Sequence, residues 1–131
     1  MKMANIKEAY TARKEQQEYE RQLQRELDRG SYVYGLDDLD VEHKRQAVIA
    51  HLDRIDELEK KIYDRQAIID NVLFWSLTKA DSVINKIVEL RVLRLADWSE
   101  ISREVLQTDV ANTSQMRLKR FMEADELDSG E

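Results

Sequence analysis

Apolar side chains are sparse along the first part of the chain and recur with helical spacing through the rest. Ile6, Tyr10, Tyr19, Leu23 and Leu27 sit among Lys, Arg, Glu and Gln, so a first helix over residues 5–29 buries only a narrow stripe. Gly30 is placed to end it as a left-handed cap. Ser31 to Leu36 then reads as a connector, with Tyr32 and Tyr34 anchoring it to a neighbouring helix. Asp37, Asp38 and Asp40 supply acceptors for the start of a second helix, expected over residues 39–74. Within it Val41, Val48, Ile55, Ile62 and Ile69 recur every seven residues, and Leu58 and Val72 follow Ile55 and Ile69 by three. β-branched residues at one heptad position with Leu at the other favour a parallel two-stranded coiled coil. Lys44, His51 and Arg65 interrupt that seam, so folding the first helix back along the stripe is an equal alternative. The second helix spans about 50 Å, too long for one small globule to cover. A second copy of the chain is the expected cover, dimerising through Val48, Ile55, Leu58, Ile62 and Ile69.

The pattern tightens after Phe74, Trp75 and Leu77, an expected aromatic hub. Thr78 with Asp81 resembles a capping box and opens a third helix to about residue 94, burying Val83, Ile84, Ile87, Val88, Leu90 and Leu93. Asp97 with Glu100 opens a short helix through residue 106 whose inward face is Trp98, Ile101 and Val105. Residues 108–112 read as a turn. Asn112 with Gln115 offers a third such start, for a last helix over residues 113–124. Ser114, Leu118 and Phe121 share one face of it, with Met122 beside them. The expected fold is all-α: a coiled-coil-like arm of two long helices (residues 1–76), a three-helix helix-turn-helix unit (77–122) and a disordered acidic tail (123–131).

Composition agrees with long solvated helices. Proline is absent, glycine occurs three times and 37% of residues are charged. The lack of cysteine removes disulfides and thiolate chemistry. No secretion signal or membrane-length apolar run is present, which makes the cytoplasm the expected location, that of a host cell if the gene is phage-borne. The net charge of −6 is unevenly spread. Residues 1–78 carry 13 basic and 16 acidic side chains, residues 79–122 carry 8 and 6, and residues 123–131 carry five acids alone. The segment between arm and tail is mildly basic, which permits DNA binding.

A short helix, a turn and a second helix leaning on a preceding one is the plan by which one helix braces on the phosphate backbone and the next enters the major groove. The outward face of the last helix would present Asn112, Thr113, Gln115, Met116, Arg117, Lys119 and Arg120, with Arg103 contributed by the bracing helix. Asn and Gln suit adenine, Arg suits guanine, and Lys and Thr suit phosphates. No acid lies between Asp109 and Glu123. Amphipathic helices with basic outer faces also occur in proteins that never touch DNA.

Glu89-Leu90-Arg91, then Trp98, then Glu100-Ile101 resembles the ELR…(S/W)xEIA pattern in region 4 of bacterial sigma factors. It is also similar to the C-terminal modules of phage late-gene activators of the RinA and ArpU type. Arg117-Leu118-Lys119-Arg120 with Phe121-Met122 resembles the RLxRAL ending of that family's recognition helix, and Thr113 falls where the family starts it with Ser-Thr-Val. The resemblance covers residues 77–122. It implies a bracing helix at 98–106, a reading helix at 113–122, double-stranded DNA as partner and host RNA polymerase as a further one. The chain departs from the family at the turn, where Leu106-Gln107-Thr108-Asp109 replaces Gly-hydrophobic-Ser. It departs again at Ser102 and Ser114, which stand for Ala and a buried Val.

Other chemistry has little support. His43 and His51 are too far apart for a helix-borne metal pair and lack a HExxH context. The Asp37 to Asp40 cluster lacks the alternating ligands of a calcium loop and is explained by helix capping. Trp75 and Trp98 suit a core. There is no phosphate loop, nucleophile elbow or catalytic triad, so no enzyme, metal, cofactor, small-molecule substrate or membrane is expected. The alternative function is a helical protein-interaction module: a coiled-coil adaptor, a packaging component or an inhibitor of a host protein. In a third reading the sigma-like unit grips polymerase without touching DNA.

Overall fold

In the computed structural model, which describes residues 1–35 and 40–128, the chain is all-helical. Among the described residues the helices are α1 (Met3–Tyr34), α2 (Val41–Lys79), α3 (Ser82–Val92), α4 (Trp98–Leu106) and α5 (Asn112–Asp128). The expected acceptors Asp37 and Asp38, and Leu36 and Leu39 beside them, lie outside the described residues, as do residues 129–131 at the end of the acidic tail. Asp40 accepts from the His43 backbone N–H at 2.8 Å and so serves the first turn of α2.

The chain divides into two compact units at places other than the boundary expected at residue 76. One comprises Met1–Lys14 with Gln66–Glu131, the other Glu15–Arg65, and both α1 and α2 contribute to each. The first unit holds the main core. Ile6, Ala9 and Ala12 of α1 join Ile69 and Val72 of α2, Ile84, Ile87, Val88, Leu90 and Val92 of α3, Ile101 of α4, and Leu118 and Met122 of α5. Each helix thus buries one apolar stripe against the others, the main source of stability for short helices.

In the second unit α1 and α2 run antiparallel, as their pairings require: Glu15 meets Arg65 (2.9 Å), Gln16 donates to the Ile62 carbonyl (3.3 Å), Arg54 donates to Gln22 (3.1 Å) and His51 donates to Glu26 (2.8 Å). Folding the first helix back is therefore what gives the polar seam positions His51 and Arg65 their partners. Leu58 is fully buried, with His51 and Gln16 nearly so. Leu58 and Ile69, both expected at a dimer seam, are covered by their own chain and have no surface left for a second copy. Val48, Ile55 and Ile62 remain half-buried.

Several local expectations change. Gly30 does not end α1; the helix continues to Tyr34, and the glycine instead leaves room for the His51 ring, whose Nε2 lies 3.2 Å from where a Cβ would stand. Val33 is buried while Tyr32 and Tyr34 are exposed, although the Tyr34 ring meets His51 edge-on at 5.9 Å. In the expected hub only Trp75 packs on the core; Phe74 and Leu77 face solvent. Thr78 turns its hydroxyl back to the Phe74 carbonyl (2.9 Å), and Asp81 alone caps α3 through the Ile84 N–H. The acidic segment does not fray at Glu123. α5 continues through Asp128, held by the Trp75 indole N–H donating to Asp125 (3.1 Å) and by the Trp75 ring against Phe121.

Candidate functional site

α3, α4 and α5 pack on one another, and residues 107–111 link the last two. Asp97 fixes the start of α4 by accepting from the Glu100 N–H (2.8 Å). That bond, aided by the nearby Arg103 charge, holds the Asp97 carboxyl below its ordinary range. The end of α4 is set by Gln107 in the left-handed region (φ 54°, ψ 42°), a conformation for which glycine is the usual residue.

α5 is started by an unexpected group. Asn112 was the anticipated cap, but the Ser114 N–H donates instead to the Ser102 hydroxyl of α4 (3.1 Å). The Ser102 hydroxyl has the Ala111 carbonyl (2.9 Å) and Ser114 Oγ (2.7 Å) within reach as acceptors, and the Ser114 hydroxyl reaches the Trp98 carbonyl (3.1 Å). Both serines are fully buried. Ser102 and Ser114 are thus one hydrogen-bonded unit that clamps α5 to α4, and the Asn112 side chain is left exposed.

Ser114, Leu118 and Met122 face inward with Phe121 packed beside them, and the opposite side of α5 points outward. Asn112, Thr113, Met116, Arg117, Lys119 and Arg120 are exposed, as is Arg103 on α4. Thr113, Arg117 and Arg120, spaced by four and three, share one edge, where with Leu106 and Thr108 they line an open groove of about 540 Å³. Gln115 differs. It is half-buried on the opposite edge and lines a cleft of about 470 Å³ with Lys7, Tyr10, Arg91 and Trp98.

Arg91 is the feature that sequence reasoning missed. Its guanidinium lies over the Tyr10 ring (3.9 Å to the centroid) and the Trp98 ring (4.6 Å), and donates to the Ala96 carbonyl (3.0 Å). Burial pulls it below its ordinary pKa, though not enough to discharge an arginine. No carboxylate among the described residues forms an ion pair with Arg91 or Lys7. The signal that could have found Lys7 is local charge. Residues 1–14 carry Lys2, Lys7, Arg13 and Lys14 against Glu8 alone, an excess hidden when residues 1–78 are averaged.

No family model, curated protein or solved structure matches this chain. No helix among the described residues is long and apolar enough to cross a membrane.

Proposed function

We propose that this chain is a DNA-binding transcription regulator of phage type, with α4 and α5 acting as the bracing and reading helices of a helix-turn-helix. The observation that carries this reading is the outer side of α5. It is open to solvent, presents Arg117, Lys119 and Arg120 beside Asn112 and Thr113, and has no acid before Glu123. A helix so exposed fits the width of a major groove, and its Asn and Arg side chains suit base edges. In this reading the exposed Arg103 and Thr113 contact phosphates. Gln115 is withdrawn from the base-reading set, because it faces the flanking cleft.

The sequence resemblance of residues 77–122 to phage late-gene activators is the ground for assigning promoter DNA and host RNA polymerase as partners. Dimerisation rests on Val48, Ile55 and Ile62, whose half-buried side chains border the exposed Ile49 and Leu52 on α2. One observation favours the protein-interaction alternative: Phe74, Leu77 and Leu127 are more than two-thirds exposed.

Fluorescence anisotropy with duplex fragments from the genome that encodes the chain tests the reading. Salt-dependent binding that Arg117→Ala with Arg120→Ala weakens by tenfold or more is expected. Equal retention of the variant and the parent at all salt concentrations would reject it in favour of the interaction module.

A further inference from the structure

The exposed ridge of α5 is flanked by cationic clefts on both sides. On one side are Arg117 and Arg120 with Thr108 and Thr113. On the other are Lys7 and Arg91 with Gln115; a smaller cleft, lined by Lys2 and Lys119 together with Glu123 and Glu126, is mixed in charge. A major groove is walled by two phosphate backbones about 12 Å apart. A helix seated in it therefore meets a strand on each side, and a two-sided reader needs cations on both flanks. The α4 side supplies one set, as the helix-turn-helix plan requires. The other flank is built by the first fourteen residues of the chain, which the fold carries into the same compact unit as α5.

We infer that the cleft formed by Lys7, Arg91 and Gln115 is a phosphodiester site that grips the second strand of the duplex read by α5. The inference rests on the DNA-binding reading above and names a further part of its surface. Three features select a phosphate. Lys7 and Arg91 bring two positive charges without an ion-pair partner among the described residues; the charge of Asp97, the α4 cap, acts on Arg91 without pairing with it, and Lys7 adds a second cation to the cleft. Arg91 is held rigid by two rings and a backbone carbonyl, so little side-chain entropy remains to be lost on contact. Tyr10 and Trp98 each already have the guanidinium over the ring, so recognition falls to charge and to the Gln115 amide rather than to stacking of a planar ligand.

Lys7 is the residue to change, because it is exposed and Arg91 is part of the packing. Lys7→Ala is expected to weaken binding about five- to tenfold at 0.1 M salt, equally for specific and unrelated duplexes, and to lower the slope of log affinity against log salt by about one. Lys7→Glu should weaken it further and Lys7→Arg should restore it, with circular dichroism and melting unchanged for all three. The inference is overturned, and the DNA reading left standing, if Lys7→Ala and Lys7→Glu keep the parent affinity and slope while Arg117→Ala with Arg120→Ala abolishes binding. Both are overturned if the parent protein binds no duplex. A titration with ATP distinguishes the source of the phosphate. Micromolar ATP binding that Lys7→Ala removes, with duplex affinity unaffected, would assign the cleft to a free nucleotide and overturn its role on DNA.

Discussion

The hydroxyl oxygens of Ser102 and Ser114 lie 2.7 Å apart, one on α4 and one on α5, with no solvent access to either. Because Ser102 also accepts from the Ser114 N–H, it performs for α5 the service that an N-cap side chain performs for most helices. Removing it leaves a buried backbone donor without a partner. Ser102→Ala is therefore expected to destabilise the fold by about 1–3 kcal/mol. Asn112→Ala, exposed and free of capping duty, should stay within about 0.5 kcal/mol of the parent while weakening duplex binding. Urea unfolding and anisotropy on the same two variants check both halves, and a large stability loss in Asn112→Ala would contradict the assignment.

The continuation of α5 past Glu123 separates two roles within the acidic segment. Asp125 accepts from the Trp75 indole and holds the helix to α2, whereas Glu123 is exposed one turn beyond Lys119 and Arg120. Asp125→Ala should lower stability by about 1 kcal/mol, the worth of a hydrogen bond to a charged group that is partly exposed. Glu123→Gln should leave stability alone and strengthen duplex binding about twofold at low salt, with the gain fading as salt rises. Reversed outcomes in melting and binding would show that the two acids have been assigned the wrong way round.

Gln107 occupies the left-handed region with a full side chain, as does Leu95 at the end of α3. The conformation costs an L-residue about 1–2 kcal/mol, part of which a glycine would return as unfolded-state entropy. Gln107→Gly is expected to raise stability by about 0.5–1 kcal/mol, seen as a higher urea midpoint at constant slope. No gain would mean that the Gln107 side chain makes a stabilising contact that offsets the backbone strain.

The elements legible in the sequence were those whose cause is local. Asp97 with Glu100 announces α4 within four residues, and the apolar spacing of α3 declares its buried face, although Asp81 and not Thr78 is its cap. What was hidden depends on partners distant in sequence. Asn112 looked like a cap because nothing nearby shows that Ser102 serves α5. Gly30 looked like a terminator because its real constraint, the His51 ring, is 21 positions away. The regular heptads of α2 looked like a seam for a second chain, yet Leu58 and Ile69 are covered within their own. At the candidate site, the outward set on α5 apart from Gln115 was readable from periodicity, whereas Lys7 and Arg91 are brought to Gln115 only by the fold.

The Asp97 cap carries a pH dependence of known sign. Its carboxyl is held below the ordinary value of 3.8, chiefly by the Glu100 backbone N–H. A group with a depressed folded-state pKa contributes stability that is present above that ordinary value and lost as pH falls through the folded-state one. Unfolding free energy should therefore drop on acidification below about pH 4. Asp97→Asn should flatten that part of the profile, since asparagine caps without titrating. An unchanged acid limb in the variant would assign the dependence to other carboxylates.

Gly30 and His51 give a prediction that depends on their coupling. Alanine is favoured over glycine within a helix by about 1 kcal/mol, so Gly30→Ala alone would be expected to stabilise α1. Its Cβ, however, would stand 3.2 Å from His51 Nε2 and 3.9 Å from the Tyr34 ring. His51 has little freedom to retreat, being buried, bonded to Glu26 at 2.8 Å and touched edge-on by Tyr34. The propensity gain should be cancelled or reversed. In a His51→Ala background the obstruction is gone, and the same change should then stabilise by about 1 kcal/mol. The coupling energy from the four proteins isolates this contact from the separate cost of losing the histidine. A Gly30→Ala effect of equal size in both backgrounds would mean that His51 is not what keeps position 30 a glycine.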